Sequence, residues 1–384
     1  MYDSMRWSVK ISLFLLSMMG VMSVIVIVAA LPLISHHFIE IPHIKFLSKL
    51  LLTIPSLMIA LVAPFAGMLI DRYGRRRPLF AGILLFIIGG SSGVYLDDFY
   101  AILLGRALLG FAVALILTCV TALIGDYFDE KGRHRFLSVQ GMVVGIGGIF
   151  FILLGGYLAR IGWNIPFLLY LLPALFLPLL YKSLHEPDRI HSHAEKTEAL
   201  SPVLLPVYLT GFFSMLLFYM LPTQMPYLVI DGLHGTPDKI ANIVACAMLV
   251  NALTIWQYQY IKSWFRYVQL FVFIYVAFGI GLLIMSQVSS VNQLYYASGF
   301  MGIGFGLVMV NTKAWLLSLA PPQRRGRAVG MLTMSFFLGQ FFSPIVFQPI
   351  VAIAGIQGLF AVISGVSFLV AGVLFFKTFL RRTV

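Results

Sequence analysis

The sequence predicts an all-α membrane protein of twelve transmembrane helices in two pseudo-symmetric six-helix bundles, and three observations predict it. Hydrophobic residues make up 60% of the 384 and charged residues only 10%, a composition outside the range of soluble globular domains. Apolar runs of about 18 to 25 residues recur along the chain, the length a helix needs to cross roughly 30 Å of hydrocarbon. The chain also matches itself at an offset near half its length. Aligning "EKGRHRFLSVQGMVVG" from Glu130 with "RRGRAVGMLTMSFFLG" from Arg324 superposes Gly132 on Gly326, Arg133 on Arg327 and Gly145 on Gly339, as a duplicated unit would.

Punctuation by charge, Gly, Pro and Asn places the helices in order at 11–34, 47–70, 79–96, 99–124, 137–159, 164–182, 203–230, 239–261, 267–288, 292–319, 328–352 and 357–379. The first run is too long for a signal-peptide core and is read as a retained helix. The longest polar segment, 183–202, divides the chain into a bundle at 1–182, a linker and a bundle at 203–384. Pro222 and Pro226 predict a bend in helix seven.

Of the 26 Lys and Arg residues, Lys45, Lys49, Arg160 and Lys239 fall on one side and Arg106 and Lys313 inside helices. The other 20 share the side that carries both termini. The positive-inside rule therefore puts both termini in the cytoplasm. The net charge of +12 is thus a matter of topology. Without a basic face on a soluble module it does not point to nucleic acid. Cys119 and Cys246 both fall within predicted helices, so neither a disulfide framework nor a metal site is expected, and no cofactor is implied.

Arg106 interrupts the oily stretch "FYAILLGRALLGFAV", about seven residues and roughly 10 Å below the outer end of its helix. A cation at that depth costs on the order of 2 to 3 kcal/mol unless it faces water or a partner. All fourteen acidic residues fall in loops or at helix ends, and so do the eight histidines. An anionic or zwitterionic substrate could supply the missing negative charge, with Arg106 gripping a carboxylate or phosphate by two prongs and Lys313 as a second contact. The alternative is that Arg106 bonds carbonyls or hydroxyls of helix one, at Ser17 or Ser23, and that Lys313 reaches back to the cytoplasm. A polytopic membrane enzyme would need embedded catalytic groups converging on one point, and the pattern does not offer them.

The segment "GMLIDRYGRRRP", from Gly67 to Pro78, between helices two and three, resembles the signature loop of the major facilitator superfamily, Gly-x-x-x-Asp-Arg-x-Gly-Arg-Arg. Arg106 with Gly110 is similar to the superfamily's Arg-x-x-x-Gly pattern in helix four, "GW…PF" at 162–167 to its turn into helix six, and "APPQRRGRAVG" to its loop into helix eleven. The compact twelve-helix form most resembles the drug:proton antiporter and small-metabolite efflux branch. That branch's Gly-Pro pair in helix five is replaced here by Phe151-Ile152. Typical antiporters also use an embedded acid, so proton coupling is left between titration of Asp71 and Asp126 and no protons at all.

The resemblance implies a secondary transporter working by alternating access in a bacterial inner membrane, as a monomer, with lipid and a small-molecule substrate as its partners. It implies export of a drug or metabolite first, and import or uniport of an anionic or zwitterionic metabolite or siderophore second. Gly67, Asp71, Arg72, Gly74, Arg75, Arg76 and Asp126 would form a conformational latch, with Gly67 allowing close helix packing, Gly74 a tight reversal, Asp71 facing the start of helix eleven and Arg75 facing Asp126. In superfamily members helices one, four, seven and ten line the cavity. On those helices the candidate substrate contacts besides Arg106 and Lys313 are Met18, Met22, Tyr208, Phe218, Tyr219, Thr223, Gln224, Asn311 and Trp315. The second-half counterpart of the signature loop, "YIKSWFRYVQLF" from Tyr260, keeps only Lys262 and Arg266.

Overall fold

The computed structural model describes residues 7–186, 202–321 and 324–380. Its described residues are helices and short connections throughout. The main helices are α1 (Trp7–His37), α2 (Ile44–Tyr73), α3 (Arg76–Gly90), α4 (Phe99–Tyr127), α5 (Glu130–Ala159), α6 (Ile165–Ser183), α7 (Pro202–Gly232), α8 (Pro237–Trp264), α9 (Tyr267–Ser286), α10 (Gln293–Leu319), α11 (325–354) and α12 (356–375); all but the 15-residue α3 belong to stretches long and apolar enough to cross a membrane, α11 and α12 counted as one.

Proline and glycine account for the departures from straight rods. In α1 a 3₁₀ turn at Val28–Ala30 precedes Pro32, whose ring cannot continue the hydrogen-bond ladder. α6 opens as a 3₁₀ helix over Ile165–Leu171, before Pro173 starts its α-helical part. The bend expected in α7 is a break at Tyr219, three residues before Pro222, followed by a π turn at Leu228–Gly232. α11 and α12 run on with no loop between them. The reversal is made at Gly355, with φ 72° and ψ 178°, a conformation open in practice only to glycine.

The chain divides into two compact units, one ending at Glu198 and the other beginning at Ala199. The expected linker at 183–202 lies largely outside the described residues. Within the first unit α4 packs on α2 and α3, and α1 packs on α5. Within the second, α10 packs on α8 and α9, and α7 packs on α11. The same pairs recur six helices later, which is the internal repeat expressed as packing. The first unit's core centres on Leu13, Leu16, Phe86, Phe136 and Tyr170, and the second's on Tyr227, Phe271, Phe278 and Phe360, all fully buried.

Candidate functional site

Arg106 is wholly buried inside the first unit. Its Nε donates to the Leu51 carbonyl at 2.9 Å and its Nη2 to the Ser23 carbonyl at 2.5 Å. The first acceptor has a local cause. Leu51 is four residues before Pro55, which has no N–H to give, so the carbonyl is left without its helical partner. Arg106 supplies the missing donor from the next helix. One turn on, Gly110 lets α4 close on α2, because a Cβ there would lie 2.6 Å from the Pro55 Cα. The Tyr170 ring covers the guanidinium at 5.2 Å, and its hydroxyl donates to the same Ser23 carbonyl at 3.1 Å. Only Nη1 is left without a hydrogen-bond partner. Two of the three guanidinium nitrogens are thus spent on backbone, so the two-pronged substrate grip expected of Arg106 is not open in this geometry.

The signature loop forms a second cluster. Gly74, at φ 85° and ψ 179°, turns the chain from α2 into α3. The turn aims the amides of Arg75 and Arg76 at the Glu186 carboxylate, 2.7 and 2.8 Å away. Glu186 thereby caps α3 at the positive end of its dipole. A Cβ on Gly74 would sit 2.5 Å from the Glu186 Oε1. Arg75 Nε meets Asp126 Oδ2 at 2.9 Å, and Arg76 donates to the Tyr181 carbonyl at 2.8 Å while lying 4.2 Å above the Tyr181 ring. The Tyr127 hydroxyl bonds to the His185 carbonyl and accepts the His185 N–H. Arg72 is exposed beside Tyr73. The side chain of Asp71 lies outside the described residues. The close packing expected at Gly67 is not made, since a Cβ there would meet nothing within 4 Å. Glu186, Tyr127 and Tyr181 are additions that the sequence reading missed, and the only signal for Glu186 was an acid just past the end of α6.

In the second unit the candidates separate. Asn311 is buried, giving its Nδ2 hydrogen to the Tyr267 carbonyl at 2.9 Å and accepting from the Tyr258 hydroxyl at 3.1 Å. Thr223 is buried too and donates to the Tyr219 carbonyl at 2.5 Å. Both make hydrogen bonds inside the protein, as polar groups at membrane depth must. Tyr219 and Gln224 are buried. Phe218 stacks on Phe305 of α10 with ring centroids 3.8 Å apart. The Tyr208 hydroxyl has no hydrogen-bond partner. Lys313 is exposed on α10, and Trp315, two residues on, lies against Phe271.

Met18 and Met22 come together in the first unit. With Phe150, Phe151, Leu154 and Phe176, among others, they line a cavity of about 390 Å³ bounded by α1, α5 and α6. Its walls are apolar and flexible. Among the described residues no group of three or more His, Cys, Asp or Glu side chains is placed to hold a metal ion.

The profile of the Major Facilitator Superfamily matches residues 13–254 and 207–383. Multidrug resistance protein 1 of Bacillus subtilis is 25% identical over 295 residues, covering 74% of this chain and 76% of the relative. The 3-(3-hydroxy-phenyl)propionate transporter of Escherichia coli is 26% identical over 331 residues, covering 83% and 81%. The crystal structure of a D-xylose-proton symporter superposes with a TM-score of 0.78 at 16% identity, over 96% of this chain and 97% of that one. Helices, internal repeat, signature loop and matches along nearly the whole length lead to one conclusion: the chain is an integral membrane protein belonging to the Major Facilitator Superfamily of transporters.

Proposed function

We propose that the chain exports small amphipathic organic compounds from the cytoplasm of a bacterium across its inner membrane, acting as a monomer with both termini on the cytoplasmic side. Residues 1–182 and 203–384 are the two bodies that move in alternating access, joined by 183–202. The observation that carries the reading is the apolar cavity of about 390 Å³ walled by Met18, Met22, Phe150 and Phe151. Methionine and aromatic walls adapt to ligands of different shape, the property a carrier of varied apolar compounds needs. Relatives named for resistance to several drugs, to tetracycline and to quinolones support the same direction. In this reading the Arg75–Asp126 pair and the Glu186 cap form the latch that holds the cytoplasmic ends of the first unit together.

A second reading, transport of an aromatic carboxylate, is favoured by two observations. One relative is named for such a compound. Among the described residues every Asp and Glu stands at a helix end or in a connection, so no acid competes for an anion at mid-span. Any proton coupling then runs through Asp71 and Asp126, near the ends of α2 and α4.

Flux in inside-out vesicles separates these readings. Accumulation of an amphipathic dye, stimulated by an imposed pH gradient and lost in Asp126→Asn, is the expected result for proton-coupled export; gradient-independent accumulation leaves export without protons. Movement of 3-arylpropionates alone, with no dye accumulation, would replace the first reading by the second.

A further inference from the structure

The second unit holds a pocket that the transport reading does not use. It has a volume of about 600 Å³ and lies where α8 ends, α9 begins and the π turn that follows α12, Phe376–Leu380, comes alongside. Three cations line it, Lys262, Arg266 and Lys377, with Tyr267, Trp315 and Thr378 among its walls. No carboxylate lines it, and among the described residues of this unit the only acids are Asp231 and Asp238. Asp238 opens α8, whereas Lys262 stands 24 residues later near its end, so the two are roughly 36 Å apart along the axis. Among the described residues of this unit, no acid therefore stands beside these cations.

The arrangement is organised. Lys262 is held with its ammonium on the Phe265 carbonyl at 3.1 Å and 4.1 Å from the centre of the Tyr267 ring. The Arg266 backbone is fixed by its N–H on Gln269 Oε1 at 2.8 Å. The first turn of α9 also opens into the pocket and adds the positive end of its dipole. Immediately outside stand Trp264, 83% exposed, Tyr260, 62% exposed, and Phe376, 65% exposed. Aromatic side chains of this kind mark the level at which hydrocarbon gives way to headgroups.

We infer that this pocket binds the phosphate headgroup of an anionic membrane phospholipid, with the acyl chains lying against the exposed aromatic and aliphatic sides of α8 and α12. Basic pockets between transmembrane helices suit such headgroups, each Lys or Arg near the surface contributing about 1 kcal/mol. The site lies in the segment that replaces the signature loop in the second half. It does not depend on which substrate the carrier moves.

The test uses the full-length protein in detergent, titrated with phosphatidylglycerol or phosphatidylcholine and read by native mass spectrometry. Phosphatidylglycerol adducts should outlast phosphatidylcholine adducts. In the triple variant Lys262→Gln, Arg266→Gln, Lys377→Gln their affinity should fall on the order of 100-fold. The same charge removed from the first unit, by Arg133→Gln, Arg135→Gln and Lys182→Gln, should leave it within about threefold, since those positions lie outside the pocket. Equal losses in the two triple variants, or no preference for the anionic lipid, would overturn the proposal. Inorganic phosphate that binds alone while phosphatidylglycerol does not would also overturn it, by naming a free anion as the ligand. If the triple variant fails to fold, the wild type still decides. Brominated phosphatidylglycerol should quench tryptophan fluorescence more than brominated phosphatidylcholine, and the difference should shrink in Trp315→Phe; no difference in wild type overturns the proposal.

Discussion

The two halves pair their helices in the same order but hold them in different ways. Where α2 meets α4, a buried cation clasps the carbonyl that Pro55 leaves open, and Gly110 brings the backbones together. Where α8 meets α10, no charge is used. Gly306 lets α10 approach α8 so closely that a Cβ would come 2.9 Å from the Asn251 carbonyl, and the neutral Tyr258 hydroxyl of α8 donates to Asn311 of α10 at 3.1 Å. At the basic ends the contrast repeats. The first unit pairs Arg75 with Asp126 and caps α3 with Glu186, while in the second no acid among the described residues lines the pocket of Lys262, Arg266 and Lys377. One architecture thus accepts fastening by charged or by neutral side chains.

The strongest way to break this comparison is Arg106→Ala. It strips the Leu51 carbonyl of its donor, leaves the Ser23 carbonyl with Tyr170 alone and opens a cavity, at a cost on the order of 4 kcal/mol, seen as a large drop in the midpoint of thermal unfolding in detergent. Restoring an amide at position 55 sharpens the point. In a Pro55→Ala background the loss from Arg106→Ala should shrink by about 1 kcal/mol, since the Leu51 carbonyl regains a helical donor. Simple additivity would show that Pro55 and Arg106 are unrelated.

Gly74→Ala comes next, at about 2 kcal/mol, because it strains the turn and presses on the Glu186 carboxylate. Gly67→Ala, in the same loop signature, should stay within about 0.5 kcal/mol. Equal effects at the two glycines would remove the physical distinction drawn between them. Asp126→Asn breaks a partly exposed pair worth about 0.5 kcal/mol, and salt should mask the difference from wild type. The smallest effect belongs to Lys313→Gln, whose exposed side chain should change the unfolding midpoint by less than about 0.5 kcal/mol.

Much of the fold was legible because hydrocarbon imposes length and apolarity on a span, so hydropathy places most helix ends to within a few residues, although it carries α3 to 96 where the helix ends at Gly90 and starts α5 at 137 where the helix begins at Glu130. The pair Arg75 and Asp126 was legible through the resemblance of the loop. Glu186 was not, because its contact with Arg75 and Arg76 crosses more than a hundred residues and no periodicity reports it. The partner of Arg106 was half legible. Helix one was foreseen as a source of acceptors, and the Ser23 carbonyl is one, but the Leu51 carbonyl requires knowing that α2 lies alongside α4. Asn311 and Thr223 were ambiguous for another reason: polarity inside a span marks a lining residue or an internal hydrogen bond equally well, and both residues make internal hydrogen bonds.

The reversal at Gly355 has a consequence for biogenesis. With a single residue between them, α11 and α12 present no surface loop to be threaded across the membrane separately. A residue with a side chain at 355 is therefore expected to be felt by both spans at once, during insertion as well as in the finished carrier.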